Sequence, residues 1–317
     1  MLGQKKSVLI FGGSGFVGQH LVAELIKNQF EIHIADLVPP TSQLATFHFC
    51  DVREKINLNL SESLDLVINL SAVHRTPGHE IDEYYETNVG GATNITNWCT
   101  SNNVKNIFFT SSIATYGPSE ELKDESSNLT PIQAYGKSKK LAEEIFQAWY
   151  EKSPKERKLV ICRPAVIFGA NENGNYTRMA KAIKRNLFFI PGDANLVKSS
   201  GYVGDLARSI LFMLSENEGM TVYNFCFPRE ITIREIANTM ADIAKWKRPQ
   251  VLPLRFLVPV LKKLGKPMSH IGNRIEKLLT PTRVLPHKLI EANFEWKYNL
   301  ESSLREWYEL SNFDLKS

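Results

Sequence analysis

The run Ser7-Val8-Leu9-Ile10-Phe11 passes directly into Gly12-Gly13-Ser14-Gly15-Phe16-Val17-Gly18. Gly13, Gly15 and Gly18 have the G-x-G-x-x-G spacing and stand where an apolar strand ends and an amphipathic helix begins, the context that gives this spacing its meaning. Glycine allows the sharp reversal, the approach of backbone to a pyrophosphate, and close packing of helix on strand. The helix start adds unpaired N–H groups and a partial positive charge. Gly12, Gly13, Gly15, Phe16, Val17 and Gly18 are therefore candidate dinucleotide contacts, although a tight turn alone would use the same glycines.

Asp36 lies 18 residues beyond Gly18, at the end of the second apolar run. A carboxylate there accepts hydrogen bonds from a ribose diol and repels a 2′-phosphate. The following Leu37-Val38-Pro39-Pro40-Thr41-Ser42 offers no Lys or Arg to neutralise such a phosphate, so the cofactor expected is NAD rather than NADP. Asp51 and Val52, after the third run, are candidates for the adenine side, or else close a strand-end turn.

Short apolar runs alternate with longer amphipathic stretches through the first half, the pattern of βαβ units. Strands are expected at 7–11, 31–35, 46–50, 64–70, 106–111 and 158–163, and helices at 16–28 and 134–150. The runs are continuously apolar, as strands of a parallel sheet buried on both faces are. After Gly169 the rhythm breaks into the polar Asn171-Glu172-Asn173-Gly174-Asn175, with a helix expected near 176–186 and a turn at Pro191-Gly192-Asp193. A helix near 205–215 and a strand near 221–226 are expected to return to the sheet. The reading is an α/β chain, a doubly wound parallel sheet over 1–168 rejoined by 205–226. A smaller C-terminal lobe, helical and basic, takes 169–204 and 227–317.

A length of 317 residues allows one large domain or two intimate ones. Lys plus Arg number 38 against 34 Asp plus Glu, and a net +4 is too mild for a nucleic-acid binder. The charge is uneven: residues 245–297 hold twelve Lys or Arg and three Glu, +9 locally, which leaves −5 elsewhere. Such a lobe suits a phosphate-bearing ligand, or is a solvated basic surface. Cys50, Cys99, Cys162 and Cys226 are too widely spaced for a zinc site, so no metal is assigned, and they fit buried thiols in a reducing cytosol. No run of 18 apolar residues and no signal-peptide pattern occurs, so the expectation is a cytoplasmic protein without stable membrane insertion.

Tyr135 and Lys139 share one helix face at i, i+4 spacing, 23 residues after Ser112 at the carboxyl end of the fifth strand. That edge is where ligands of doubly wound sheets bind. To act as a base near neutrality a tyrosine must lose about 3 pKa units, roughly 4 kcal/mol. Two positive charges, Lys139 and an oxidised nicotinamide, could supply this, while Ser112 holds the reacting oxygen. Tyr and Lys on an exposed helix face would have the same spacing.

Taken together, these residues resemble the extended short-chain dehydrogenase/reductase family, in its nucleotide-sugar epimerase and dehydratase branch. The resemblance also rests on Asn69-Leu70-Ser71-Ala72, Tyr85-Glu86-Thr87-Asn88-Val89, Phe109-Thr110-Ser111-Ser112, Tyr135-Gly136-Lys137-Ser138-Lys139, Arg163-Pro164 and Tyr202-Val203-Gly204-Asp205-Leu206. It implies that Leu70, Ser71, Ala72, Asn88 and Pro164 line or support the dinucleotide, that Ser112, Tyr135 and Lys139 are catalytic, and that the substrate is a nucleotide sugar. It also implies that the doubly wound parallel sheet is a Rossmann-type, NAD-binding domain, that the smaller C-terminal lobe is substrate-binding, and that the chain forms a homodimer through Rossmann helices. Ile113-Ala114 stand where the 4,6-dehydratases carry Asp-Glu, which argues against dehydration. Lys198-Ser199-Ser200 replaces an arginine for the sugar diphosphate, leaving Lys198 as a point charge and Arg283 as the stronger clamp candidate. Asn171, Arg178 and His74 are further substrate candidates; a lone histidine such as His74 is more often a packed or solvent residue.

Four functions remain open at this point: an NAD-dependent epimerase working at sugar C4, a reductase of a nucleotide-linked 4-keto sugar, a dehydrogenase of a non-nucleotide alcohol such as a steroid, and a non-catalytic dinucleotide sensor. The amphipathic basic stretch 254–264 could rest on an anionic membrane, but Pro259 and its short length favour a helix packed over the substrate cleft.

Overall fold

The fold was analysed as a computed structural model that describes residues 5–60, 63–74, 78–191, 196–252, 263 and 281–315. The expected stretch 254–264 and the turn beginning at Pro191 fall largely outside the described residues.

Seven strands form one sheet: β1 Ser7–Phe11, β2 Glu31–Asp36, β3 Thr46–Phe49, β4 Leu66–Asn69, β5 Asn106–Thr110, β6 Lys158–Pro164 and β10 Met220–Phe225. Their order is β10-β6-β5-β4-β1-β2-β3, and every pairing is parallel. Strand succession reverses between β1 and β4, which opens a crevice at their carboxyl ends where a doubly wound sheet takes its ligand.

Period-two alternation sorts the strand residues onto two cores. Val8 and Ile10 face helices α1 (Phe16–Lys27) and α6 (Val203–Glu216), together with Leu21, Leu25, Leu206 and Ile210. Leu9 and Phe11 face α3 (Gly91–Ser101) and α4 (Ala134–Glu151), together with Ile95, Trp98, Ala142 and Phe146. Burying both faces explains why these strands read as unbroken apolar runs.

A third core lies off the sheet's carboxyl edge, among α5 (Asn175–Lys184), α7 (Ile233–Ile243) and a C-terminal helix, Leu300–Ser311. Phe168 is its centre, stacked on Tyr176 at 4.5 Å between ring centroids and flanked by Tyr202, Phe227 and Trp307. Two short parallel pairs brace this lobe: β7 (Val166–Phe168) with β9 (Ser200–Tyr202), and β8 (Ile190–Pro191) with β11 (Val251–Leu252). The segment expected wholly in this lobe divides, because Leu289 and Phe294 pack into the core beside β10 and α6.

Candidate active site

The turn after β1 is built as its glycines require. Gly12 has φ +76°, and a Cβ there would stand 2.6 Å from the Ser71 amide nitrogen, so the exits of β1 and β4 meet without room for a side chain. A Cβ on Gly18 would lie 2.3 Å from the Gly13 carbonyl oxygen, which brings α1 down onto the turn. Helix α1 has no side-chain cap and no acidic residue in its first turn. Its start therefore has N–H donors and positive dipole left for an anion. The Asp36 carboxylate accepts from the Ser14 amide at 3.0 Å and the Leu37 amide at 2.7 Å, at the rim of this turn. These features fit a dinucleotide: the turn and helix start would take the pyrophosphate, and Asp36 the ribose diol.

Around the crevice, Ser71 donates its amide and hydroxyl to Asn69 Oδ1 at 3.0 and 2.6 Å, which orients Leu70, Ser71 and Ala72. Asn88 sits in a single π turn, Glu86–Gly90, of the kind that often marks functional sites. Its amide bridges both backbone groups of Val73 and donates to Ser138 Oγ at 2.9 Å, and Ser138 in turn donates to the Tyr135 carbonyl. Pro164 is the last residue of β6 and buried. Asp51 is held by the Arg53 guanidinium, whose hydrogen bond keeps its carboxyl below the usual carboxylate range. Val52 is buried against Gly91.

Ser112 leaves β5 and caps a 3-10 turn, Ile113–Tyr116, accepting from the Ala114 amide at 3.2 Å. The Ser112 hydroxyl lies close enough to the Tyr135 phenol on α4 to act on its ionisation. Tyr135 is half-buried as a residue, and burial of its phenol pushes the pKa up, with Ser112 opposing and Tyr84 adding to the rise. The depression expected from the sequence is not met in the protein alone, because burial outweighs the influence of Ser112 and Lys139 contributes none. Lys139 is 2 % exposed, its ammonium 4.3 Å from the Phe109 ring centroid. Burial pushes its pKa down to about 7, and the charge of Glu143, one turn along α4, acts in the opposite direction.

Glu143 itself belongs to a buried network that the sequence analysis did not find. Arg163 donates to both its oxygens, at 2.9 and 2.6 Å, and Ser111 donates its hydroxyl. Arg163 also reaches the Tyr116 hydroxyl at 3.0 Å, which donates to Asn224 at 2.8 Å. The only signal in the sequence was the placement of Glu143 four residues beyond Lys139.

The proposed substrate residues divide into separate groups. Lys198 bridges Thr282, so it and Arg283 lie on one seam between β9 and the C-terminal segment. The Arg283 guanidinium is already engaged, donating to Glu230 at 2.6 Å and the Glu120 carbonyl at 3.1 Å. A diphosphate would have to share it with that carboxylate, which makes Arg283 a weaker clamp than its position suggested. Asn171 is exposed with φ +71°, its amide donating to Asp314 at 2.9 Å, while Arg178 is exposed on α5 and donates to Asn175. His74 is exposed on the segment that leaves β4.

The NAD dependent epimerase/dehydratase family matches residues 8–226. The chain belongs to that family. As a family member it is an NAD-dependent enzyme, in keeping with the Asp36 reading. It is 33 % identical over 313 residues, 94 % of its length and 93 % of the relative's, to N-acetyl-alpha-D-glucosaminyl-diphospho-ditrans,octacis-undecaprenol 4-epimerase of Escherichia coli O157:H7. UDP-glucose 4-epimerase 4 of Oryza sativa subsp. japonica is 25 % identical, over 79 % of this chain and 80 % of that one. Among solved structures, MoeE5 in complex with UDP-glucuronic acid and NAD shares the fold, with a TM-score of 0.78, 21 % identity, and 98 % of this chain and 100 % of that chain covered.

Proposed function

We propose that this epimerase inverts C4 of a sugar joined through a diphosphate to its carrier, with Ser112, Tyr135 and Lys139 as its catalytic residues. The observation that carries the reading is the placement of Ser112, at the carboxyl edge of the sheet, beside the Tyr135 phenol, with buried Lys139 one turn along α4. Bound NAD would supply a reversible acceptor for the C4 hydrogen and a positive charge near the phenol. Tyr135 takes the proton of the C4 hydroxyl and returns it after the keto sugar has presented its other face. Ser112 hydrogen-bonds the reacting oxygen, and the Lys139 ammonium favours the phenolate. The glycine turn, Asp36, and the 70–72 and 88 positions hold the dinucleotide in this scheme.

For the carrier, a polyprenol has the stronger support. The relative named for an undecaprenyl diphosphate substrate matches at 33 % identity over nearly the full length, against 25 % for the UDP-glucose epimerase. A nucleotide carrier is the second reading, favoured by the plant relative and by the UDP sugar in the MoeE5 complex.

Tyr135→Phe is expected to lower kcat by about 10²–10⁴-fold. NAD released by denaturing the variant and identified by mass spectrometry is expected to match the parent. Turnover at the parent rate would end the assignment. Stoichiometric loss of reduced cofactor with a keto sugar, in place of catalytic interconversion of two epimers, would move the reading to a reductase. Offering the sugar on a short prenyl diphosphate and on UDP decides the carrier.

A further inference from the structure

Helix α5 and the residues after it carry a surface that the reaction does not use. Tyr176, Ala180 and Ile183 form its buried stripe, whereas Lys181, Lys184 and Arg185 are exposed on the other side, with Arg178 a turn earlier. No Asp or Glu occurs between residues 175 and 191. Glu172, the carboxylate that precedes the helix, is spent on the amides of Tyr176 and Thr177 and the Thr177 hydroxyl. Among the described residues, no ion-pair partner meets Lys181, Lys184 or Arg185. Directly after the helix, Leu187 is 67 % exposed and Phe189 42 % exposed.

Cations in a last turn complement the negative end of a helix. That accounts for the charges but not for two large apolar side chains left in solvent beside them. A cationic helix face next to exposed apolar side chains is what an interfacial element presents to anionic lipid. A nucleic acid would match the cations and leave Leu187 and Phe189 unexplained. In the sequence the basic excess continues beyond β11, the strand paired with β8: residues 253–280 contain six Lys or Arg and one Glu.

We infer that this face of α5, with Leu187 and Phe189, docks on an anionic phospholipid surface. The inference rests on the polyprenyl-carrier reading, since a sugar on such a carrier is presented at a bilayer. The α5 face follows immediately on the loop that carries Asn171, so docking would bring that loop toward the lipid.

The test is co-sedimentation of the full chain at physiological salt with phosphatidylcholine vesicles, alone and with roughly a third phosphatidylglycerol. The parent is expected to pellet only with the anionic vesicles. At about fivefold per cation, the Lys181→Gln/Lys184→Gln/Arg185→Gln variant is expected to lose on the order of a hundredfold in partitioning. Leu187→Ser/Phe189→Ser should lose roughly tenfold. Both variants should keep the parent's thermal midpoint and its turnover of a water-soluble short-prenyl diphosphate sugar. Absence of pelleting by the parent, equal pelleting of the triple variant, or release of the pelleted protein by duplex DNA would overturn the inference. Turnover of the prenyl substrate without any vesicle binding would overturn docking alone, and vesicle binding with turnover restricted to UDP sugars would remove the carrier reading on which it rests.

Discussion

Lys139 combines a functional position with an unfavourable environment. Its ammonium has a pKa of about 7 in the fold against 10.5 ordinarily, burial being the chief cause. Between those values the unfolded chain holds a proton that the folded chain lacks, so this group's contribution to stability rises with pH across that window. The penalty is fully present below about pH 7. Lys139→Met, of similar length and without charge, is therefore expected to raise the thermal midpoint of the cofactor-free protein at pH 6 by several degrees, about 1–3 kcal/mol, and by less at pH 9, while abolishing turnover. Thermal unfolding at the two pH values checks this. A lower midpoint at pH 6 would mean that Glu143 and the Phe109 ring hold the ammonium more firmly than burial opposes it. Residues brought together locally, Ser112 and the Tyr135-Lys139 pair, were legible because a strand end and an i, i+4 spacing fix them. The Glu143–Arg163–Tyr116–Asn224 network was not, since its bonds join residues 20, 47 and 108 positions apart.

The glycine turn shows how an element carries a site without any reactive side chain. Gly18→Ala would drive a Cβ to 2.3 Å from the Gly13 carbonyl oxygen and 2.6 Å from its carbon, both backbone atoms with nowhere to go. We expect this variant to lose about 1–3 kcal/mol of stability, as overpacking does, and to purify without NAD. Denaturant unfolding and mass spectrometry of released cofactor measure the two losses, and a variant with the parent's NAD content would show that α1 can shift at no cost to the cofactor. Each element for which bounds were expected was legible to within about two residues at either end, because burial on one or both faces imposes a period that propensity alone does not, whereas α3, α7 and the helix Leu300–Ser311 had been given no bounds. Strand β2 runs one residue further than expected, to Asp36, and β3 stops at Phe49, before Cys50. The pairs β7–β9 and β8–β11 were invisible: strands of two or three residues are too short to express a period, and only their tertiary partners define them.

The segment 283–288 is tied to the loop 123–125 beside β10. Glu125 takes the Asn224 amide at 2.9 Å and the Lys288 amide at 3.2 Å, while Lys123 pairs its backbone with Arg283 and Leu285. Burial raises the Glu125 pKa despite those donors. A raised carboxyl pKa means that the folded chain binds more protons than the unfolded one as pH climbs from about the ordinary 4.5, so stability falls through that window and the penalty is complete above it. Glu125→Gln is expected to raise the thermal midpoint by a few degrees at pH 7 and to change it little at pH 4, as compared by calorimetry. A variant less stable than the parent at pH 7 would show that the amide donors favour the anion.

The seventh strand gives the architecture a temporal side. Strand β10 borders β6, yet α5 and the β7–β9 pair intervene between them along the chain. A ribosome that has delivered β6 has therefore exposed a parallel edge of Leu159, Val160, Ile161 and Cys162, all buried in the finished fold, and must make some fifty-five more residues before Met220–Phe225 can cover it. The cofactor half cannot close its sheet until α5 and the β7–β9 pair of the other lobe have been made.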